Sequence, residues 1–198
     1  GPGRVLKAYE MLEASGYMFL EPEPASERHL LKVHSPRYLR ELRAGAIEDR
    51  DTPALEGVYE YARLAAGGAI TAARVGGFSL MRPPGHHVGA EGRALGARTR
   101  GFCYLNNVAV AVESLNRPAL ILDIDGHHGN GTQEIFHGRE DVAYVSLHVR
   151  SAYPGTGSAS KGNCYNYPLP RDCGEDVYLE ALGGALEAVD PGRFSVVA

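Results

Sequence analysis

Short apolar runs alternate along the chain with longer segments in which apolar residues recur every three or four positions. Residues 119–122 (Ala-Leu-Ile-Leu), 142–147 and 194–198 have strand length, and continuous apolar runs are typical of strands covered on both faces of a parallel sheet. Helical spacing predicts helices over residues 5–12, 36–45, 55–74, 108–115 and 176–189. Residues 162–170 lack either pattern and are interpreted as a surface connection.

Start and stop signals support these boundaries. Ser35 and Pro36 are the residue types of an N-cap and a first helical position, whereas Gly16 and Gly76 follow helical patterns that they would end. Strands that alternate with helices predict an α/β domain with a mainly parallel sheet flanked by helices. In such sheets the functional residues lie at the carboxyl ends of the strands.

Acidic and imidazole side chains are concentrated directly after the run at 119–122, in the sequence Asp-Ile-Asp-Gly-His-His-Gly-Asn-Gly at residues 123–131. A period of two places residues 123, 125 and 127 on one face, so Asp125 and His127 converge. Carboxylate and imidazole are ligands that Zn²⁺ accepts, and a catalytic zinc site needs a third protein ligand from elsewhere. The alternative is a strand end whose polar groups are satisfied by turn amides.

A second cluster, Arg-Pro-Pro-Gly-His-His at residues 82–87, places two adjacent imidazoles on a stiff loop. Imidazole exchanges its proton near neutral pH, so His86 and His87 could supply a general base and a group that holds a proton. Each ring needs an orienting acceptor, and Asp123 and Asn130 are free for that task if Asp125 and His127 bind metal. The alternative is a solvated loop.

Five stretches together resemble the histone deacetylase family, including acetoin-utilization proteins and acetylpolyamine amidohydrolases. They share the family's order and spacing, and Asn130 is more similar to the class II and bacterial branches. The resemblance implies a three-layer fold like that of arginases and deacetylases, incomplete in this chain. The stretches are residues 82–87, 101–107 (Gly-Phe-Cys-Tyr-Leu-Asn-Asn), 123–133, 145–148 (Val-Ser-Leu-His) and 153–157 (Tyr-Pro-Gly-Thr-Gly).

The resemblance also implies residue roles. It makes Asp125 and His127 metal ligands and His86 and His87 the catalytic histidine pair, with Asp123 and Asn130 as their partners. It implies a narrow substrate tunnel with Gly101 and Phe102 on one wall and Tyr153 on the other, and a rim acid, Asp51, that grips the substrate outside. It further implies a structural potassium ion near Asp123, Asp125, His127, Ser146 and Leu147.

The implied reaction is metal-dependent hydrolysis of an acetylated amine. His87 would take the proton of the activated water, and His86 would stay charged beside Asp123. The substrate would be an acetylated lysine peptide or an acetylated small amine such as a polyamine. Zinc is the expected metal, although Fe²⁺ also accepts aspartate and histidine.

Family members carry a third ligand, an aspartate, after the next strand and a transition-state-stabilising tyrosine in a later loop. Residues 1–198 are therefore expected to form a single deacetylase-like catalytic domain that lacks its C-terminal part and its first strand. Two alternatives remain open: an interaction protein of this fold with impaired catalysis, and another arginase-fold hydrolase. The arginase pattern Asp-x-His-x-Asp would need an acid at Gly129, so a single metal is favoured.

Composition narrows the interpretation further. The 198 residues carry a net charge of −4, which offers no field for nucleic acid, and no apolar run is long enough to cross a bilayer. Three cysteines at irregular spacing argue against a disulfide framework and favour the cytoplasm. Cys103 is interpreted as a buried small hydrophobe. The remaining histidines are interpreted as structural: His29, His34, His137 and His148.

Overall fold

A parallel sheet of four strands forms the centre of the computed structural model, which describes residues 3–194 and 196–197. A small antiparallel hairpin, β1 with β2, precedes it in the chain. The central sheet has the order β5-β4-β3-β6, and its neighbouring strands are parallel. The strands are β1 (Val88–Gly89), β2 (Gly92–Arg93), β3 (Ala119–Asp123), β4 (Val142–Val149), β5 (Cys164–Leu169) and β6 (Val196–Val197).

Helices flank this sheet and carry most of the predicted boundaries. Within the described residues, none of them combines the length and the apolarity needed to cross a membrane. The helices are α1 (Gly3–Ala14), α2 (Glu27–Leu30), α3 (Pro36–Arg43), α4 (Val58–Val75), α5 (Asn107–Leu115), α6 (Asn130–Phe136) and α7 (Glu175–Val189), followed by a short 3-10 turn (Pro191–Arg193).

Alternate residues of the central strands pack into two separate hydrophobic clusters. Ile121 and Tyr144 belong to the cluster that includes helices α4 and α5, whereas Leu120 and Val145 belong to the cluster formed with helix α7. Complete burial of such side chains stabilises the fold by roughly 1.5–3 kcal/mol each. Since both faces of the sheet are covered by helices, the predicted three-layer α/β architecture is confirmed.

Side-chain caps fix the helices around the later site. The Ser35 side chain accepts a hydrogen bond from the Tyr38 amide, as its predicted N-cap role requires. Asn106 caps helix α5 by accepting from the Ala109 amide, and its side-chain amide also donates to the Val88 carbonyl. This buried asparagine therefore joins the start of helix α5 to the hairpin that follows the two loop histidines.

Two sequence-based boundaries need correction. Residues 162–170 were predicted to be a surface connection, but residues 164–169 form β5, which pairs with β4. Pro168 lacks an amide donor and is tolerated because β5 is an edge strand. Helix α4 begins three residues later than predicted, because Gly57 adopts a left-handed conformation with φ of 71°. Of the predicted strand at 194–198, Val196 and Val197 are strand, while Ser195 and Ala198 lie outside the described residues.

Candidate active site

The two predicted clusters meet beyond the carboxyl end of β3. β3 ends at Asp123, and the six residues that follow form an irregular turn before helix α6 begins at Asn130. Asp125 and His127 therefore converge through this turn and not through strand pleating, so the period-two argument was wrong for them. The turn is held by hydrogen bonds from the Asp125 amide to Asp123 Oδ1 (3.2 Å) and from the His127 amide to Asp125 Oδ1 (2.8 Å).

Asp125 and His127 present two adjacent donors for a metal. Asp125 Oδ1 and His127 Nδ1 are 3.1 Å apart, and both side chains are about half exposed, at 53% and 51%. Two donors bound to one tetrahedral zinc at about 2.0–2.2 Å lie roughly 3.3–3.6 Å from each other, so this pair is close to the spacing of one edge of such a site. Among the described residues, no group of three or more His, Cys, Asp or Glu side chains is arranged to hold a metal ion.

His86 is paired with a carboxylate. Its Nδ1–H donates to Asp123 Oδ2 at 2.9 Å, and the Tyr144 hydroxyl donates to the same oxygen at 2.9 Å. Burial disfavours the charged ring, but the hydrogen bond and the negative charge of Asp123 outweigh it and raise the pKa of His86. Burial likewise opposes the charge on Asp123, yet the His86 contact and the Tyr144 hydroxyl lower its pKa. The pair therefore favours an imidazolium beside a carboxylate.

His87 faces a neutral amide instead. The side-chain amide of Asn130 donates to the Ala94 carbonyl at 2.8 Å, so its Oδ1 is the atom that accepts from His87 Nδ1–H at 2.9 Å. A neutral ring with its proton on Nδ1 has a free lone pair on Nε2. Burial, followed by the charge of His86 at a ring separation of 4.0 Å, lowers the pKa of His87 to about 4. The pKa of one of these adjacent histidines is therefore raised, and the pKa of the other is lowered.

Glycines let these loops approach each other closely. A Cβ on Gly85 would lie 2.4 Å from the Leu105 carbonyl oxygen, and a Cβ on Gly129 would lie 2.3 Å from Asp123 Oδ2. The second contact also explains why no acidic side chain occupies position 129, since any side chain there would collide with the carboxylate that holds His86.

Two of the predicted tunnel residues, Gly101 and Tyr153, lie against the ring of His87. The Tyr153 ring packs edge-on against His87 with a centroid distance of 4.8 Å and against His127 at 6.0 Å. A Cβ on Gly101 would meet the His87 ring at 2.3 Å and the Tyr153 ring at 3.0 Å, so only glycine fits between them. Phe102 has a positive φ of 64° and is exposed. The placement of Phe102 and Tyr153 on opposite walls of a tunnel stays a prediction.

Asp51 lies beside this entrance and faces the protein. Its Oδ1 accepts from the Gly101 amide (3.1 Å) and the Thr52 hydroxyl (2.9 Å), and its Oδ2 accepts from the Thr99 hydroxyl (2.6 Å). Burial opposes the charge, but these hydrogen bonds, with Thr99 the largest of them, lower the pKa of Asp51. Its predicted role in gripping substrate stays untested.

Ser146 and Leu147, two of the residues predicted to lie near a potassium ion, are on the neighbouring strand β4. Ser146 is paired in register with Asp123, and both Ser146 and Leu147 are buried. The Ser146 hydroxyl lies 2.9 Å from His148 Nδ1. Ser146 therefore lies beside the carboxyl end of β3, and the potassium site stays a prediction.

Two contacts at the site were not predicted from the sequence. Tyr144 was interpreted only as part of a strand, yet its hydroxyl donates to Asp123 and accepts from the Gly129 amide at 3.1 Å. His128 had no predicted role, but it is buried and bonded to Thr156 Oγ1 at 2.8 Å. The available signals were the hydroxyl of Tyr144 in an otherwise apolar strand and the presence of His128, without an assigned role, inside the motif.

The histidines and the cysteine that were interpreted as structural lie in three kinds of surroundings. His34, His148 and Cys103 are buried, and burial raises the pKa of the Cys103 thiol to about 12, as expected for an inert small side chain. His29 completes a capping box with Ser26. His137 is exposed.

Known proteins resemble the chain throughout its length. It is 39% identical to a probable deacetylase of Archaeoglobus fulgidus, covering 93% of this chain and 56% of that protein. It is 38% identical to a histone deacetylase-like amidohydrolase of Pseudomonas aeruginosa, covering 80% of this chain and 47% of that protein. The chain thus spans about half the length of these two curated relatives.

The fold has counterparts among solved structures. The acetylpolyamine aminohydrolase of Burkholderia pseudomallei superposes with a TM-score of 0.85 at 27% identity, over 98% of this chain and 71% of that chain. The family model for the histone deacetylase domain matches residues 1–191. That match includes nearly every residue of the chain, and it includes both histidines of the pair and the residues Asp125 and His127 near them. The chain belongs to the histone deacetylase family.

Proposed function

We propose that the full-length protein hydrolyses acetylated amines to acetate and a free amine, with His87 as the general base. This proposal rests on the pKa values of the two adjacent histidines, which are shifted in opposite directions. At neutral pH His87, with a pKa lowered to about 4, is available to accept a proton, whereas Asp123 stabilises the charge on His86. A base next to a fixed positive charge suits a reaction in which negative charge develops on a carbonyl oxygen.

Asp125 and His127 are the residues that would hold a divalent metal, which when bound would polarise the acetyl carbonyl and make water more acidic. Their 3.1 Å donor separation supports that role, and a catalytic zinc site would need a third protein ligand from other residues. Zinc fits this donor set, and Fe²⁺ is the alternative. We further propose that potassium binds near Asp123 and Ser146 and stabilises the turn.

The chain's own residues then perform the proton transfers. His87 Nε2 takes one proton from the attacking water and returns it to the amine nitrogen as the amide C–N bond breaks. Asn130 keeps the proton of the neutral ring on Nδ1, so that Nε2 faces the reaction. Tyr153 and Gly101 lie against His87. There they would exclude water from the aliphatic chain of a bound substrate.

The substrate class is an acetylated amine on a slim aliphatic chain. The Burkholderia structure that superposes on this chain is described as an acetylpolyamine aminohydrolase, and one curated relative as a histone deacetylase-like amidohydrolase. Both descriptions support an uncharged acetamide at the end of methylene groups. Acetyl-lysine peptides and acetylated polyamines both have that feature.

The test is acetate release by the full-length protein reconstituted with zinc. Acetyl-lysine peptide and N-acetylputrescine serve as substrates, the metal-free protein serves as the control, and bound metal is measured in the same samples. We expect zinc-dependent acetate release from at least one substrate and one metal ion per site. Stoichiometric zinc without acetate release from either would contradict the proposal, and two manganese ions per site would favour an arginase-like hydrolase instead.

A further inference from the structure

We propose that Thr99 is a positioning residue that ties Asp51 to Tyr153 and so holds the two walls of the active-site entrance together. This inference deepens the proposed function, because it concerns the path by which the acetylated chain would reach His87. It also gives Asp51 a second task besides any contact with substrate.

The hydrogen bonds around Thr99 have defined directions. Its Oγ1 lies 2.6 Å from Asp51 Oδ2 and 3.0 Å from the Tyr153 hydroxyl oxygen. The Tyr153 hydroxyl donates to the Thr99 carbonyl at 3.0 Å. Because a carboxylate only accepts, the Thr99 hydroxyl proton goes to Asp51, and the phenol proton of Tyr153 is directed to Thr99.

The residues after Thr99 make further contacts with the same loop around Asp51. Arg100 Nη1 forms an ion pair with Asp49 at 2.6 Å, and the two side chains are only 12% and 9% exposed. The Gly101 amide donates to Asp51 at 3.1 Å. Three consecutive residues are therefore bound to the loop around Asp51, and Thr99 alone among the three also reaches the Tyr153 hydroxyl.

The loop that carries Tyr153 is anchored at its other end by two buried histidines. His128 is bonded to Thr156 Oγ1 at 2.8 Å, and His148 Nε2–H donates to the Gly157 carbonyl at 3.0 Å. Near its beginning the backbone is held by turn bonds from the Ala152 amide to the Val149 carbonyl and from the Gly155 amide to the Ala152 carbonyl, and the Tyr153 side chain is held by the bonds of its hydroxyl to Thr99. Loss of those bonds would release the ring that packs against the general base, while the far end of the loop stays in place.

Loss of the hydrogen bonds that hold the Tyr153 ring should affect substrate binding more than the chemical step. The substrate would have to order Tyr153 as it enters, so KM should rise, whereas the bonds that orient His87 do not involve Thr99. Loss of one hydrogen bond corresponds to roughly a fivefold change in an equilibrium constant. T99V and Y153F both remove the contact between the two hydroxyl oxygens, and only Y153F also removes the bond to the Thr99 carbonyl. If Thr99 acts on KM through Tyr153, the double variant should therefore cost little more than Y153F alone.

The experiment compares full-length, zinc-loaded T99V, T99S, Y153F and the T99V/Y153F double variant, with T71V in helix α4 as the matched control. Steady-state kinetics with an acetyl-lysine peptide give KM and kcat, and amide hydrogen exchange reports on residues 99–103 and 152–157. We expect KM to rise about fivefold in T99V with kcat within twofold, faster exchange in both segments, and KM near wild type in T99S.

The proposal is overturned if T99V keeps wild-type KM and exchange rates, if T99S behaves like T99V, or if the T99V and Y153F effects multiply in the double variant. A wild-type enzyme that releases no acetate would instead overturn the proposed function. In that case the exchange rates of T99V against T71V still decide whether Thr99 holds the wall, since they do not depend on turnover.

Discussion

Asp123 accepts the Nδ1 proton of His86 at 2.9 Å, and this contact raises the pKa of His86 although the ring is buried. The neighbouring ring of His87 has the same 2.9 Å contact, but with the uncharged oxygen of Asn130. One pKa is raised and the other is lowered to about 4. The identity of each partner, carboxylate or amide, therefore separates the group that carries charge from the group that accepts a proton.

Exchange of the amide for a carboxylate should move the pH dependence of the enzyme. In Asn130→Asp a negative charge would face His87 Nδ1 and stabilise its imidazolium, so the pKa of His87 would rise from about 4. As the pH falls, His87 of the variant would then be protonated at a higher pH than His87 of the wild type, and the base form would be lost earlier. We expect the acidic limb of kcat/KM to move upward by at least about one pH unit.

The control for this variant is Asn116→Asp, a change of the same type at an exposed position at the end of helix α5. It should leave the profile of kcat/KM against pH unchanged. An Asn130→Asp enzyme whose acidic limb coincides with that of the wild type would show that Asn130 does not set the charge of His87.

Removal of one proposed ligand should release the metal. Asp125→Asn replaces a charged oxygen donor 3.1 Å from His127 Nδ1 with a neutral one. We expect zinc affinity of the full-length protein to fall by more than about 100-fold, beyond the 10–100-fold typical of residues that only orient a ligand. Competition with a chromophoric chelator measures this affinity. The exposed Asp176→Asn in helix α7 is the control, and equal affinities in the two variants would exclude Asp125 as a ligand.

Contiguous motifs made much of this site predictable. Asp125 and His127 are two residues apart, so even the irregular turn that replaced the predicted strand keeps their donors together. The asparagine and aspartate partners were predictable because each histidine needs an acceptor. The signal was chemical, and it did not depend on the secondary structure around it.

Long-range contacts and edge positions could not be predicted in the same way. Thr99 meets partners 48 and 54 residues away, and no local pattern distinguishes it from a loop threonine. β5 was missed because Asn166 and Pro168 are unfavourable in a central strand, and its place at the edge of the sheet follows only from the packed structure.

Gly157 should be intolerant of a side chain, unlike its neighbour in the same loop. Both Gly155 and Gly157 have positive φ, but a Cβ on Gly157 would lie 2.6 Å from the His128 ring, whereas a Cβ on Gly155 would meet open space. Gly155→Ala should cost about 1–2 kcal/mol of unfolding free energy from backbone strain, and Gly157→Ala about 1–3 kcal/mol more. Urea unfolding measures both, and equal losses would show that the histidine contact is not restrictive.

His34 should make the fold less stable in acid. The ring is buried between the Gly89 carbonyl (3.1 Å) and the Asn106 amide (3.0 Å), and burial lowers its pKa to about 4. Since the unfolded value is near 6.5, the unfolded chain binds the extra proton first. The stabilising effect is complete above pH 6.5 and is lost as the pH falls toward 4, by about 3 kcal/mol.

The measurement is the unfolding free energy of wild type and His34→Gln in urea between pH 7 and pH 4. The wild type should lose about 3 kcal/mol more than His34→Gln over this interval, because the variant has no imidazole to protonate there. The exposed His137→Gln serves as the matched control. Parallel stability curves for wild type and His34→Gln would show that His34 is not held neutral in the fold.

The most direct test of the proposed chemistry is kcat for acetate release by full-length His87→Ala, measured at pH 7 with zinc content determined on the same preparation. His29→Ala is the control, since His29 only completes the capping box of helix α2. We predict a loss of at least about 100-fold in kcat with unchanged zinc, the size expected for removal of a general base. A kcat close to wild type at equal zinc content would contradict the assignment of His87 as the base.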